Sequence, residues 1–401
     1  MSFVNTIFQQ LVQQYPTWEA LSTYLESDAG GGLRCIKLQG SPYAIVRYVK
    51  EKSNMSLPHV GAYRSVVWDT EANRPVCVAP TKAQLGEPSA GTPLRVMDFV
   101  DGVMVNVFID SNGNPKFSTR TNMGANNTFY TKKTFAQMLE EAFTPVGGAA
   151  HFFGRILSKG QFASLVMQHP DHKTVGQVAQ PRVWIVHVGS VSEDGAVTFT
   201  VDAAEWPSSL QSYAVPVYEK AEVFGESKDA WKFIKSYQGK GHMWQGVVFL
   251  NTANGQRWRL RNSEYVKVRT LRGPESDSFA RFLRLRAQGQ MKLYLTYFRE
   301  ESNRMWAYEK LWRETTQELL DSYVQMNKLK QKTMKELPLP LRPHVYALHG
   351  KYLASLPTPT PVTKSSVIEY VNGLAIEDQL KMIGGKHLTA EWLAANRLVP
   401  N

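Results

Sequence analysis

A chain of 401 residues, 43% hydrophobic and 20% charged, has globular composition and is long enough for two domains with apolar cores. Only Cys35 and Cys77 occur, both inside apolar, strand-like runs, which excludes a disulfide framework or a cysteine metal site and indicates a reducing compartment. The net charge of +11 favours an anionic partner, with nucleic acid ahead of an acidic protein surface.

The opening "MSFVNTIFQQLVQQYPTWEAL" has no basic segment followed by a continuous apolar one. No later stretch approaches the ~18 apolar residues of a membrane span, so a cytoplasmic protein without a membrane partner is expected. Ile7, Phe8, Leu11, Val12 and Tyr15 share a helical face, Pro16 ends that turn, and Trp18, Leu21, Tyr24 and Leu25 repeat the pattern. Two short helices are therefore predicted within residues 1–29, packing on the domain that follows.

After "DAGGG" the texture changes to period-two, β-branched runs: "LRCIKL", "YAIVRYV", "YRSVVWD", "PVCVAP", "VMVNVFID", "SLVMQ", "RVWIVHVG", "AVTFTVD" and "QGVVFL". Turn signals such as "GSP", "SNGNP" and "SEDG" separate them, and helices are predicted at "TKKTFAQMLEEAF" and "ESKDAWKFIKSY". The fold class predicted for residues 30–273 is an antiparallel-sheet α+β domain. Beyond "LRGPESDS", apolar residues recur at helical spacing, among them Met305, Tyr308, Trp312, Leu319, Tyr323 and Met326. Residues 274–401 therefore read as an all-helical C-terminal domain, punctuated by "PLPLRP" and "LPTPTPV" and closing with helices over about 365–396. Arg281, Arg284, Arg286 and Lys292, with a cluster of Lys328, Lys330, Lys332 and Lys335 late in the long helix, suit either a nucleic-acid backbone or a solvated face.

Five stretches carry a resemblance when taken in order: "GAYRSVVWDTEANRPVCVAPTKAQ", "FVDGVMVNVFIDSNGNPKFSTRTNMGA", "LVMQHPDHKTV", "RVWIVHVG" and "WQGVVFLNTANGQRWRLRNSEYVKVRTLRG". Together they resemble the nucleotidyltransferase motifs of the T4-type RNA ligase family, in which a lysine captures AMP from ATP as a phosphoramidate. The resemblance spans most of residues 63–273. The C-terminal stretch is similar to that of RNA-ligase-like proteins of large DNA viruses, which implies protein partners in a viral assembly or packaging in a virion.

The resemblance aligns the family's lysine with Phe99, which cannot form a phosphoramidate, while Asp101 and Gly102 keep the Asp-Gly element. The third motif's glutamate falls on Val166, or on Gln168 with a slip of two, and the fourth motif's Glu-Gly becomes Gln245-Gly246. The fifth motif's lysines become Arg259 and Arg261; Arg64 matches an upstream arginine, and Ser118, Thr119 and Arg120 form a small polar and basic segment. The nucleophile and the metal-attracting carboxylates are thus missing together. The expected nucleotide- or phosphate-binding set is Arg64, Phe99, Asp101, Gly102, Arg120, Gln245, Arg259 and Arg261, arginine being suited to bidentate contacts with phosphate.

Three functions follow from this reading. The first is a pseudo-ligase that binds nucleic acid, RNA favoured, or a nucleotide or a protein partner. The second is a divergent ATP-dependent RNA ligase using ATP and Mg²⁺, with Lys82 as displaced nucleophile and Asp101 helping to hold the metal. The third is a structural component of a large viral particle. His169 and His172 have a spacing seen in metal sites, but no cysteine or second histidine pair accompanies them, so a loop between strands is expected and no metal site is assigned.

Overall fold

The computed structural model describes residues 2–86, 88, 94–218 and 238–398. The chain divides into two compact units, Met1–Lys267 and Val268–Asn401. Strands in the first unit run in chain order as β1 (Ser2–Asn5), β2 (Arg34–Lys37), β3 (Tyr43–Arg47), β4 (Val66–Asp69), β5 (Arg74–Val78), β6 (Gln84–Leu85) and β7 (Leu94–Asp98). They continue as β8 (Val103–Ile109), β9 (Pro115–Ser118), β10 (Gln161–Gln168), β11 (Arg182–Val191), β12 (Val197–Thr200), β13 (Gly246–Asn251) and β14 (Arg257–Arg261).

These form three sheets, ordered β1-β12-β11-β10-β8-β9, β6-β14-β13-β7 and β2-β3-β4-β5. Every pairing between the strands is antiparallel except the short contact of β6 with β14. The six-stranded sheet is buried on both faces. Val105, Val107, Ala163 and Leu165 pack with the helices Phe135–Phe143 and Ala149–Ile156, while Phe108 and Phe162 point into a second core. Burial on both faces explains why β8 and β10 read as nearly continuous apolar runs. In the β7-β13-β14 sheet, Val247, Phe249, Trp258 and Leu260 form a core on one face, and Val248 and Leu250 turn the other way. All three sheets and the N-terminal helices contribute to the largest core, where Phe8, Trp18 and Leu21 meet Trp68, Phe108 and Val248.

The two N-terminal helices form as predicted, over Ile7–Gln14 and Trp18–Glu26, the second capped by Thr17, whose hydroxyl accepts from the Ala20 N–H. The sequence pattern predicts helices at the start of the chain, but β1 precedes them and pairs with β12. Four residues with a half-exposed pattern are too short a run to announce an edge strand. The helix Phe135–Phe143 begins with a capping box between Thr134 and Gln137. The predicted helix at 226–237 lies outside the described residues.

The second unit is helical among its described residues: Ser278–Ala287, Met291–Tyr297, Ser302–Tyr323, Arg342–Ala354, Lys364–Asn372, Ile376–Ile383 and Ala390–Ala395. Its basic residues are not placed as the sequence suggested. Arg281 is buried, donating to the Arg272 and Glu275 carbonyls and pairing with Glu301 at 3.4 Å. Arg284 binds Glu275 at 2.6 Å, and Arg286 donates to Asn372 at 2.8 Å with its guanidinium 5.6 Å from the Trp312 ring centre. These side chains fasten the unit internally, so they do not offer the backbone-facing stripe that their spacing implied. The long helix ends at Tyr323; Lys328 lies in a π-helical turn, Lys330 has φ +54°, and Lys332 and Lys335 follow beyond it, so the lysine cluster does not extend a helical face.

Candidate phosphate site

The Asp-Gly element is a short connection between β7 and β8, and its backbone is held from several directions. The Phe99 N–H donates to the Gly246 carbonyl at 3.0 Å, bringing the first- and fourth-motif positions side by side. Gly102 is required by close approach, since a Cβ there would lie 2.4 Å from the Met167 carbonyl and 2.8 Å from Val166. Gly246 has φ +127°, and a Cβ would meet the Leu260 carbonyl at 2.1 Å. The sequence thus brings Phe99, Asp101, Gly102, Val166, Gln168 and Gln245 together. Phe99 packs against the largest core with the Arg261 guanidinium 5.3 Å from its ring centre.

Asp101 does not stand ready for a cation. One carboxylate oxygen accepts from the Tyr265 hydroxyl at 2.8 Å, the other from the Val175 and Gly176 N–H groups at 3.1 Å each, and its carbonyl accepts from Gln168 at 2.9 Å. Gln168 in turn accepts from the Trp184 indole at 2.9 Å. With Val166 apolar and Gln245 a buried amide, the residues here do not fit a Mg²⁺ site. This corrects the metal-holding role expected of Asp101: its carboxylate is a structural tie between the β7-β8 connection and the segment after β10.

Basic side chains gather along β14 and its neighbours. Arg257, Arg259 and Arg261 alternate with Trp258 and Leu260, so the three arginines share one face while the apolar pair enters a core on the other. Arg257 is buried, and the one hydrogen bond of its guanidinium among the described residues is a long one, 3.5 Å to the Thr81 carbonyl; burial and then Arg64 pull its pKa down to about 9. Arg64 is lowered too, by burial first, with Arg120 and Arg259 adding to the effect and Tyr48 opposing it. Arg120 donates to the Arg64 and Tyr48 carbonyls at 3.2 and 2.9 Å and lies 4.7 Å from the Tyr48 ring centre. The Arg259 Nε is buried without a hydrogen-bond partner among the described residues. None of Arg64, Arg120, Arg257 and Arg259 has a carboxylate within ion-pair distance there. Lys82 is exposed and its ammonium lies 5.4 Å from the same Tyr48 ring, at the margin of this cluster.

Beneath it, a polar row crosses four strands. Ser118, Asn106, Ser164 and His187 are register partners in β9, β8, β10 and β11, and all are buried. Ser164 donates to Asn106 at 2.8 Å, and His187 Nε2 lies 3.1 Å from both the Val78 carbonyl and the Ser164 hydroxyl. Burial, then Arg257, then, after the opposing Val78 hydrogen bond, Arg64 set the His187 pKa at about 3 against an ordinary 6.5. Between those values the unfolded chain binds the extra proton. Stability is therefore complete above pH 6.5 and lost as pH falls toward 3, with His344, also lowered by burial, acting in the same direction. A His187→Gln variant is expected to show a shallower fall of thermal midpoint across that window in calorimetry; an unchanged slope would refute the assignment.

No protein-family model matches the sequence, and no curated protein matches it. Among solved structures the chain is similar to an archaeal ATP-dependent RNA ligase in two forms. Form 1 has a TM-score of 0.39 and 13% identity, over 76% of this chain and 74% of that one. Form 2 has a TM-score of 0.40 and 12% identity, over 67% of each.

Other sequence candidates fall outside the cluster. His169 lies 2.8 Å from Glu141, whose carboxylate also holds Lys133, and Lys133 reaches Asp171 at 2.7 Å, so this histidine belongs to the hydrogen-bonded network around Glu141. His172 sits among Phe129, Tyr130 and Phe135. No metal-binding group of three or more histidine, cysteine or acidic side chains exists among the described residues. Cys77 is buried and Cys35 half-buried; both are free, and burial pushes the Cys35 thiol up to about 12. No helix among the described residues is long and apolar enough to cross a membrane. Sequence reasoning missed Arg257, Tyr48 and His187, although the period-two spacing of "RWRLR" would have placed Arg257 beside Arg259.

Proposed function

We propose that this protein is an RNA ligase-like nucleotidyltransferase fold that has lost its adenylation centre and binds phosphate groups in the arginine cluster. The observation that carries the reading is the convergence of Arg64, Arg120, Arg257 and Arg259 without a carboxylate partner among the described residues. Burying guanidinium charge is costly unless it is paired, and like charges raise that cost further, so such a cluster is best explained by a polyanionic ligand. The ring of Phe99 supports the loss of adenylation, because it offers no amine at the position of the family's lysine. ATP fits this site through its phosphates; the catalytic metal does not fit at Asp101.

A second reading, adenylation at Lys82, is favoured by one observation: its ammonium shares the Tyr48 ring with Arg120. Intact-mass spectrometry after incubation with ATP and Mg²⁺, beside calorimetric binding of ATP and inorganic triphosphate, separates the two. The leading reading expects both anions to bind and no AMP adduct to form. An adduct that disappears in Lys82→Ala would establish the second reading, and failure to bind either anion would overturn the first.

A further inference from the structure

We infer that Arg257 holds a single halide ion, chloride or bromide, in a small cavity between two sheets of the first unit. The cavity has a volume of about 20 Å³. Arg257 and Leu250 line it from β14 and β13, His187 and Phe199 from β11 and β12, and Phe3 from β1. The Arg257 guanidinium is buried and has no carboxylate partner among the described residues. Its long hydrogen bond to the Thr81 carbonyl uses one of five N–H donors. The acceptors beside it are already engaged, the Thr81 carbonyl by this bond and the Gly255 carbonyl by the Thr81 hydroxyl at 3.4 Å. His187 is neutral at pH 7, because burial and then Arg257 lower its pKa, so it brings no compensating charge.

About 10–15 Å³ accommodates one water-sized particle, so the space admits a monoatomic ion and excludes a phosphate group. Water would fill the volume and leave the charge unpaired. A buried guanidinium without a counter-charge is costly, and Arg64 adds repulsion to the cost of burial. An anion that only accepts hydrogen bonds meets both needs: it takes the free N–H donors, and its charge cancels that of Arg257. The apolar walls then select among such ions. Fluoride is the most strongly hydrated halide and loses most on entering them, which leaves chloride and bromide. The site stands apart from phosphate binding, because none of Arg64, Arg120 and Arg259 lines the cavity.

The test is the thermal midpoint of the full chain in sodium gluconate, fluoride, chloride and bromide at one ionic strength, on the wild type and Arg257→Met. The wild-type midpoint is expected to rise by about 3 °C in chloride or bromide at tenfold excess over the dissociation constant, and to stay at the gluconate value in fluoride. Arg257→Met should show no halide dependence and, in gluconate, a midpoint at or above that of the wild type, since it loses an unpaired charge. Crystals of the wild type grown in bromide give a second measurement that needs no variant: an anomalous peak in the cavity beside the Arg257 guanidinium. Equal midpoints in gluconate and chloride, or a cavity without bromide, would mean that it holds water only and would overturn the site. A halide response that survives Arg257→Met, or that vanishes under saturating inorganic triphosphate, would place the ion elsewhere and overturn the site as well. Failure of the protein to bind triphosphate would overturn the phosphate reading alone, because the halide shift is measured without that ligand.

Discussion

Arg64→Ala is expected to weaken triphosphate binding by about 10- to 100-fold and, without ligand, to raise the thermal midpoint. The first effect follows from removing a charge-assisted contact to phosphate, worth roughly 1.5–3 kcal/mol, at about 1.4 kcal/mol per tenfold change in affinity. The second distinguishes a ligand site from a structural one. Arg64 is half-buried, and burial, Arg120 and Arg259 all disfavour its charge, with Tyr48 alone opposing. Its removal takes away repulsion and breaks no ion pair among the described residues, so the unliganded fold gains, as expected where function holds charge against stability. An arginine fastening the fold behaves oppositely: Arg281, tied to the Arg272 and Glu275 carbonyls and to Glu301, should lower the midpoint when replaced. Differential scanning fluorimetry with and without triphosphate measures both effects. A lower midpoint for Arg64→Ala without ligand, with unchanged affinity, would assign it a packing role instead.

The strands that sequence made visible are those whose physics is local. β8, β10 and β13 carry β-branched and aromatic runs because both of their faces are buried, and that pattern needs no knowledge of partners. β14 was harder to see: "RWRLR" places arginine at every second position, and the run reads as charge until its alternate residues are found in a core. The motif positions were legible through their order along the chain, and the fold does bring Phe99, Asp101 and Gln245 together. What each side chain does there was not legible, because its partners are remote in sequence. The donors that occupy the Asp101 carboxylate come from Val175, Gly176 and Tyr265. The burial of Arg281 depends on Glu301 and two carbonyls outside its own helix. Arg281 stood out by its spacing in a basic run and Arg259 by its place in the resemblance, and neither feature could show that Arg281 is an internal fastener.

Introducing a lysine by Phe99→Lys alone is expected to give no AMP adduct on intact-mass spectrometry after incubation with ATP and Mg²⁺. The new amine would stand in a half-buried position beside the Arg261 guanidinium, and both features favour the neutral, nucleophilic form. The nucleophile is therefore not the missing element. Charge developing on the departing pyrophosphate needs a metal, and the aligned positions offer no open carboxylate to hold one: Asp101 is engaged by three donors, Val166 is apolar, and Gln245 is a buried amide. Triphosphate affinity should hold, since a neutral amine neither adds charge to the arginine cluster nor removes any from it. Adding Val166→Glu and Gln245→Glu to the lysine variant supplies the negative charge, and an adduct should appear only in that combination. Val166 lies on the same face of β10 as Ser164 and abuts Gly102, where a Cβ would lie 2.8 Å from it, so the introduced carboxylate would stand beside the Asp-Gly element. Stoichiometric adduct on Phe99→Lys by itself would mean that one substitution silenced the site and that the carboxylate losses are incidental.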